Sequence, residues 1–337
     1  MSAPAVSYAL NDRPGVSDET RARVRAIAER LGWVPNRAAR ALSDGRAGAI
    51  GLVIDRPARV LGVEPYFMQL VSGIQDALAD GTTALLLQVT DNAETELALY
   101  RRWWAERRVD GVLLVDLRAD DPRISLVTEL GLPAVVLGEP VADDGPPCVW
   151  TDDAVAMAAV LEHLAGLGHR RVGRVAGPPE FVHTRTRTRA FAEQTRRWGL
   201  TAAPVVNADY GAQDAARATA RLLAEPDPPT ALVFDNDVMA VAAVGVAQEL
   251  GRSVPDDLSI VAWDDSPLCG LVRPALTAVD RPIFERGAAA VRVLAEVVDG
   301  GAPGHLRTAD PVLVPRGAPA RRGDRPSRTL TLNRLIG

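Results

Sequence analysis

Short apolar runs alternate with amphipathic stretches along most of this chain of 337 residues, starting after Gly48. Seven of the runs have the length and composition of strands buried on both faces of a sheet, namely AIGLVI (49–54), TALLLQV (83–89), DGVLLV (110–115), PAVVLG (133–138), RRVGRVAG (170–177), TALVFD (230–235) and LSIVAW (258–263). Three of the stretches between them have helical spacing, namely MQLVSGIQDALA (68–79), AAVLEHLAGLG (158–168) and VMAVAAVGVAQELG (238–251). This alternation predicts an α/β fold with doubly wound parallel sheets. About ten such units are too many for one hydrophobic core, so we expect two lobes.

The first 46 residues have a different pattern, which predicts two short helices joined by a turn. Residues 2–10 carry apolar side chains at helical spacing, with Ser2 as a possible N-cap. The turn NDRPGVS follows, and Ser17 is a second N-cap before a helix that ends at Gly32. A further short helical stretch is predicted at 36–42.

Charge is distributed unevenly between this head and the rest of the chain. The formal net charge of −5 and the pI of about 5.5 taken alone argue against a nucleic-acid partner. Residues 1–46, however, contain eight Arg against five Asp and Glu, a local charge of +3 that leaves −8 for the remainder. A small basic head is therefore predicted on a large acidic body.

Several other classes of protein are disfavoured by composition. The two cysteines, Cys148 and Cys269, indicate neither a disulfide framework nor a zinc site. No apolar stretch reaches the roughly 18 residues of a membrane span, and the first residues lack the pattern of a secretory signal, so we expect a cytoplasmic protein without a membrane partner. There is no dinucleotide fingerprint, phosphate-binding loop, nucleophile elbow or metal-binding His pair, so neither an enzyme nor a cofactor is expected.

Four segments, taken together, resemble the LacI/GalR family of transcriptional regulators. Residues 6–42, VSYALNDRPGVSDETRARVRAIAERLGWVPNRAARAL, resemble the DNA-binding head of that family from recognition helix to hinge helix. Residues 166–178, 229–265 and 274–294 resemble its effector-binding core, and the likeness extends in family order over about residues 1–316. The resemblance implies a two-lobed core like that of periplasmic sugar-binding proteins, in a homodimer or a tetramer. It also implies three crossovers between the lobes, near 149–151, 277–280 and 308–311.

On this basis we divide the chain into a partial helix-turn-helix head (1–34), a hinge helix or linker (35–46), an effector-binding core (47–317) and a flexible tail (318–337). Within the core, the first lobe is expected at about 47–149 and 279–309, and the second at about 150–278 and 310–317.

The head differs from the family pattern at its start. Met1 stands where the family usually has the Val of a Gly-Val-Ser turn, so the helix that normally precedes this turn is absent from the sequence. A start site assigned too late is one explanation, since GTG encodes Val and also serves as a start codon. A real truncation is the other, and it would leave a ligand-binding sensor without DNA binding.

Ten residues match positions at which the family contacts DNA: Ser2, Ala3, Pro4, Ser7, Tyr8, Asn11, Asn36, Arg37, Arg40 and Leu42. In a helix-turn-helix the second helix presents its N-terminal side chains to the major groove, and Ala3, Pro4 and Tyr8 match the base-facing positions. Ser2 and Ser7 match positions near phosphates. Leu42 matches a wedge inserted in the minor groove, although packing of this leucine on the core is the alternative.

Six residues match positions at which the family contacts its effector: Tyr66, Phe67, Arg187, Asn236, Trp263 and Asp264. Tyr66 and Phe67 match a stacking platform, Arg187 a cationic clamp for hydroxyls or carboxylates, and Trp263 an apolar wall. An ion pair involving Arg187 or Asp264 is the structural alternative. Glu139 stands where the family usually has Asp, so its role is open, and no metal site is expected at Asp235, Asp237 and Asp265.

These features together predict a transcriptional regulator, of the repressor type, that binds a pseudo-palindromic operator DNA. A sugar or similar metabolite between the lobes would control its affinity for DNA.

Overall fold

The computed structural model describes residues 2–10, 14–32, 45–56, 61–140 and 145–317. Two parallel sheets with helices on both faces dominate these residues, in agreement with the predicted α/β fold. None of the described helices is both long and apolar enough to cross a membrane.

The first lobe is built on a four-stranded parallel sheet in the order β2-β1-β3-β4. Its strands are β1 (Ala49–Asp55), β2 (Ala84–Thr90), β3 (Gly111–Val115) and β4 (Ala134–Leu137). The helices α3 (Pro65–Leu78), α4 (Ala93–Ala105) and α5 (Pro122–Leu130) connect these strands. Leu113 of β3 and Ile74 of α3 lie in the core on one face, whereas Val112 and Trp103 lie in the core on the other. Because both faces are covered, the strands read as continuous apolar runs.

The second lobe is built on a six-stranded sheet in the order β12-β10-β9-β8-β6-β7. Its strands are β6 (Arg171–Ala176), β7 (Thr201–Asn207), β8 (Ala231–Phe234), β9 (Ser259–Trp263), β10 (Thr277–Asp280) and β12 (Val312–Val314), and only the β10–β12 pair is antiparallel. Helices α6 (Asp153–Gly166) and α7 (Val182–Arg197) cover one face. Helices α8 (Ala212–Leu223), α9 (Asp237–Glu249) and α10 (Pro267–Leu271) cover the other.

The chain passes between the two sheets three times. It leaves the first lobe after β4, through β5 (Val149–Trp150), and enters α6 of the second lobe. It returns between β10 and α11 (Ile283–Val298), a helix that packs against α3 and the first sheet. The third passage follows β11 (Leu306–Arg307), which pairs with β5, and ends in β12.

Helices α3 and α11 approach each other at two glycines. A Cβ atom on Gly73 would lie 1.9 Å from the carbonyl oxygen of Phe284, and one on Gly287 would lie 2.5 Å from the carbonyl oxygen of Leu70. Only glycine allows this backbone approach, which anchors α11 to the first lobe.

The head consists of α1 (Ala3–Leu10) and α2 (Asp18–Arg30), close to their predicted bounds. The Ser2 Oγ accepts a hydrogen bond from the Ala5 amide at 3.4 Å, and the Ser17 Oγ accepts one from the Thr20 amide at 3.3 Å. Ala9 and Val24 are the buried apolar residues of the described head. So small a contact gives the two helices little packing energy of their own.

The segment that joins the head to the core is fixed where it reaches the first lobe. The carboxylate of Asp110 accepts hydrogen bonds from the amides of Ala47 (2.6 Å), Gly48 (2.8 Å) and Ala49 (3.3 Å). Arg46 forms an ion pair with Asp299, at the end of α11, at 2.5 Å. Asp110 therefore sets the direction in which the chain enters β1.

Candidate functional site

A cleft of about 700 Å³, open to solvent, lies between the two lobes. The residues that follow β1, β3 and β4 line it from the first lobe, and those that follow β8, β9 and β10 line it from the second. Carboxyl ends of parallel strands meet at one edge of a sheet, and that edge is where open α/β sheets bind ligands. The topology therefore places a binding site here.

Buried ion pairs form part of the lining of this cleft. Arg56 pairs with Asp116 at 2.7 Å in the first lobe. In the second lobe Arg187 pairs with Asp153 at 2.6 Å, and the Nη2 of Arg281 lies 2.5 Å from Asp264. Asp116 and Asp264 both have left-handed backbone conformations, with φ of 51° and 71°. Strain of this kind at strand ends is common where side chains must face a ligand.

Aromatic rings support three of the cleft arginines. The guanidinium of Arg187 lies 4.7 Å from the ring centre of Trp263, and that of Arg281 lies 5.3 Å from the ring centre of Tyr66. The Arg56 guanidinium is 5.0 Å from the rings of both Phe181 and Tyr210, which belong to the second lobe. These cation–π contacts hold the planar groups in place, and those of Arg56 also link the lobes.

Burial changes the protonation of several groups around the cleft. It raises the pKa of Glu64 to about 8, although Arg56 opposes the effect, and it raises the pKa of Asp237 to about 6. Burial also lowers the pKa of His183 well below its usual range, so this ring is neutral and shares a 2.6 Å hydrogen bond with the Tyr210 hydroxyl. For Asp153, burial is outweighed by Arg187 and Arg281, which hold its pKa below the usual value.

The two lobes touch directly on one side of the cleft. The Val182 amide donates to the Leu117 carbonyl oxygen at 2.8 Å, and the Ala119 amide donates to the Glu180 carbonyl oxygen at 3.2 Å. The Thr186 hydroxyl donates to Glu139 across the same boundary at 2.8 Å. We call the backbone contact between 117–119 and 180–182 the interlobe bridge.

Known proteins share both the head and the core of this chain. Residues 2–36 match the family described as bacterial regulatory proteins, lacI family, and residues 161–318 match a periplasmic binding protein-like domain. The HTH-type transcriptional regulator MalR of Streptomyces coelicolor is 32% identical over an alignment of 338 positions, which covers 96% of each chain. The chain belongs to the LacI family.

Solved structures of LacI-family proteins have the same fold. The lac repressor dimer bound to operator and the anti-inducer ONPF matches with a TM-score of 0.83 and 25% identity, over 95% of this chain and 96% of that one. A complex of the transcriptional regulator CelR with cellobiose matches with a TM-score of 0.74 and 28% identity, over 94% of this chain and 96% of that one. The doubly wound, two-lobed core predicted from the resemblance to the LacI family is thereby confirmed.

Four of the six predicted ligand residues line the cleft, namely Tyr66, Arg187, Asn236 and Asp264. Asn236 caps α9 by accepting from the Met239 amide at 2.8 Å and donates to the Tyr210 carbonyl oxygen at 3.2 Å. Arg187 and Asp264 lie in the ion pairs given above, so both bear on stability as well as on any ligand.

Phe67 and Trp263 do not line the cleft, contrary to the sequence-based expectation. Phe67 is 1% exposed in the core of the first lobe, and Trp263 is 0% exposed in the core of the second. Successive residues point to opposite sides of a strand and to different faces of a helix, so the neighbours Tyr66 and Asp264 reach the cleft and these two do not. Their rings instead lie beside arginine guanidinium groups, Arg56 over Phe67 and Arg187 over Trp263.

Eight polar residues that line the cleft were not predicted from the sequence, namely Arg56, Glu64, Asp116, Asp153, His183, Tyr210, Arg281 and Arg286. A signal was present for three of them, because Arg56, Asp116 and Arg281 each follow a parallel strand directly or by one residue. Two of the three carboxylates considered for a metal form ion pairs: Asp235 pairs with Arg174 at 2.6 Å, and Asp265 with Arg316 at 2.5 Å.

The predicted DNA-binding residues that the structure describes lie on or beside α1. Pro4, Ser7 and Tyr8 are exposed, Tyr8 by 40%, and Ser2 caps the helix that begins at Ala3. The remaining DNA-binding predictions, Asn11, Asn36, Arg37, Arg40 and Leu42, lie outside the described residues.

Proposed function

We propose that this chain is a transcriptional repressor that binds a pseudo-palindromic operator as a homodimer and responds to a small sugar-like metabolite. One observation carries the proposal: a head of the LacI type is joined through an anchored segment to a core with an open cleft between two lobes. The relatives named above are regulators of transcription, and one is known in complex with cellobiose. The proposal assigns no catalytic residue, metal or cofactor, and it places the protein with the chromosome in the cytoplasm.

In the head, we assign base contacts to Ala3, Pro4 and Tyr8 and phosphate contacts to Ser2 and Ser7. A helix N-terminus with exposed hydroxyl groups suits both roles, since amides and hydroxyls donate to phosphate oxygens. Five further DNA contacts remain proposals from the resemblance alone, namely Asn11, Asn36, Arg37, Arg40 and Leu42. The division at 46/47 and the lobe boundaries are proposals on the same basis.

In the core, Tyr66, Arg187, Asn236 and Asp264 are the proposed ligand contacts. A ligand that touches both lobes binds one relative orientation of them better than another and therefore shifts their equilibrium. The anchored segment 46–49 belongs to the first lobe, so a change in lobe orientation alters how the two heads of a dimer face DNA. The coupling is reciprocal: a ligand that releases DNA binds the DNA-bound protein less tightly by the same factor.

The proposal is tested by measuring operator binding and its response to ligand. We expect fluorescence anisotropy with DNA from the region upstream of the gene to give specific binding at least about 10³ tighter than random DNA. A panel of sugars and sugar acids should contain a compound that changes this affinity by fivefold or more, about 1 kcal/mol. No DNA binding, with a ligand still bound, would favour a sensor that lacks DNA binding.

A neighbouring pair of aspartates supplies matched variants for the cleft. Asp264→Asn should lower ligand affinity at least about tenfold, because a ligand hydroxyl loses its charged acceptor at a cost of roughly 1.5–3 kcal/mol. Asp265→Asn, which breaks the pair with Arg316 outside the cleft, should leave it unchanged. Calorimetry measures the ligand affinity of both variants. Equal losses of affinity in the two would show that the site is wrongly placed.

A further inference from the structure

We propose that the ligand of this cleft is a sugar acid, a polyhydroxylated molecule with one carboxylate, and that Arg286 selects it. The inference rests on the proposed function and narrows the class of its effector.

Arg286 is a buried cation without a partner in the described part of the chain. It lies on α11, is 4% exposed and lines the cleft. Its side chain forms no ion pair or hydrogen bond with a described residue, and its Nε atom is buried without an acceptor. A buried charge of this kind is unfavourable unless something else pairs with it. The geometry points to a ligand that supplies the missing anion.

The other arginines of the cleft do not have this property. Arg56, Arg187 and Arg281 each have a carboxylate within 2.7 Å. Their charges are matched inside the protein, and they can contact a ligand only as neutral pairs. Arg286 is thus the one lining arginine, among the described residues, whose charge is left for a ligand.

The carboxylates near Arg286 do not neutralise it. Asp153 is held by Arg187, and Glu139 accepts from Thr186 and lies outside ion-pair distance of Arg286. The positive charge of Arg286 nevertheless reaches the cleft, where it opposes the effect of burial on the pKa of both Tyr66 and Asp153. Arg286 therefore acts electrostatically on two residues that line the space a ligand would fill.

A buried acceptor without a donor, in the same cleft, indicates which other groups the ligand carries. The Oδ1 atom of Asp153 is buried without a hydrogen-bond donor among the described residues, whereas its Oδ2 atom binds Arg187. A hydroxyl group on the ligand would satisfy this oxygen. One unpaired cation and one unpaired acceptor in the same cleft fit a molecule that carries both a carboxylate and hydroxyl groups.

The surrounding charges favour a carboxylate over a phosphate. Arg286 offers one unpaired positive charge for one negative charge, and Asp116, Glu139, Asp153 and Asp264 line the same cleft. A phosphate monoester carries close to two negative charges at neutral pH and would leave the second unmatched beside these carboxylates. A neutral sugar would leave Arg286 unpaired.

Calorimetry on the full chain with matched compounds tests the proposal. The probes are D-glucuronate, D-galacturonate and D-gluconate, with D-glucose and D-galactose as neutral parents and D-glucose 6-phosphate as the dianion. We expect at least one acid to bind tenfold or more tightly than its neutral parent and than the phosphate. Preference for a neutral sugar or for the phosphate, or binding of none of the six, would overturn the inference.

Variants of Arg286 assign the preference to this residue. Arg286→Met should remove the tenfold advantage of the acid, Arg286→Lys should keep part of it, and Arg185→Met, at an exposed position of α7, should keep all of it. An acid preference that survives in Arg286→Met would contradict the assignment.

Thermal unfolding without ligand separates a ligand-binding role from a structural one. Because Arg286 has no described partner, Arg286→Met should leave the melting temperature unchanged or raise it. Loss of folding in both Arg286 variants would show a structural cation and overturn the inference. Operator binding, measured separately, tests the proposed function: its absence would count against that function and not against the choice of ligand.

Discussion

At the scale of residues, the cleft is organised by arginines whose partners lie far away in the sequence. Arg56 follows β1, and its partner Asp116 follows β3. From the sequence alone, each residue would be assigned as a surface charge after a strand, because no local sequence feature indicates that the two strands are neighbours in the sheet. Replacing one member of such a pair leaves the other charge buried, which costs more than the pair itself contributes. Residue types could therefore be predicted here, and their pairing could not.

Glu64 predicts a specific dependence of stability on pH. Burial raises its pKa from 4.5 to about 8, so the folded protein holds a proton that the unfolded chain releases between these values. The free energy of unfolding should fall as pH rises from 5 to 8, by up to about 1.4 kcal/mol per unit from this group. In Glu64→Gln, the contribution of this group to the dependence of the free energy of unfolding on pH should vanish.

Urea unfolding of both proteins at several pH values measures the difference. Glu29→Gln, on the exposed surface of α2, controls for the change of side chain itself. Parallel curves for the wild-type protein and Glu64→Gln would show that Glu64 does not take up a proton on folding.

At the scale of elements, strands with an apolar run could be predicted from the sequence, and strands without one could not. All seven predicted runs contain or overlap a strand, because each run is mainly apolar, including those of the edge strands β2 and β4. β7 lies at the edge of its sheet, is partly exposed and contains Pro204, so it lacks that signature. β5 and β11 have two residues each, too few for any periodicity.

The contact between α3 and α11 predicts opposite effects for two glycine substitutions. Gly73→Ala should destabilise the protein by several kcal/mol, since its Cβ would lie 1.9 Å from a backbone oxygen and the helices would have to separate. Gly245→Ala, at an exposed position of α9 with no atom within 4 Å, should stabilise it by up to about 1 kcal/mol. Chemical denaturation of both variants provides the comparison, and equal stabilities would contradict the close approach.

At the scale of the whole molecule, the interlobe bridge holds the two lobes together on one side of the cleft. Val182 is the first residue of α7, a position that accepts proline because its amide makes no bond within the helix. Val182→Pro therefore removes the hydrogen bond to Leu117 and keeps the helix. Hydrogen exchange at the Ala119 amide, which donates across the same bridge, should become at least about fivefold faster, corresponding to the loss of about 1 kcal/mol.

Val182→Ala is the matched variant, since it shortens the side chain and keeps the amide. Exchange at Ala119 should remain slow in this protein. Equal exchange rates in the two variants would show that the bridge does not depend on the Val182 amide.

The anchoring of residues 47–49 by Asp110 makes the chain modular at one defined place. The carboxylate that receives these amides belongs to the first lobe, so the lobe carries its own attachment point whatever precedes it. Gene fusion at this junction would join a head with another operator preference to an unchanged sensor. Under the proposed division at 46/47, the regulated gene and the sensed metabolite would be exchanged independently in evolution, each by changes on its own side of residue 46.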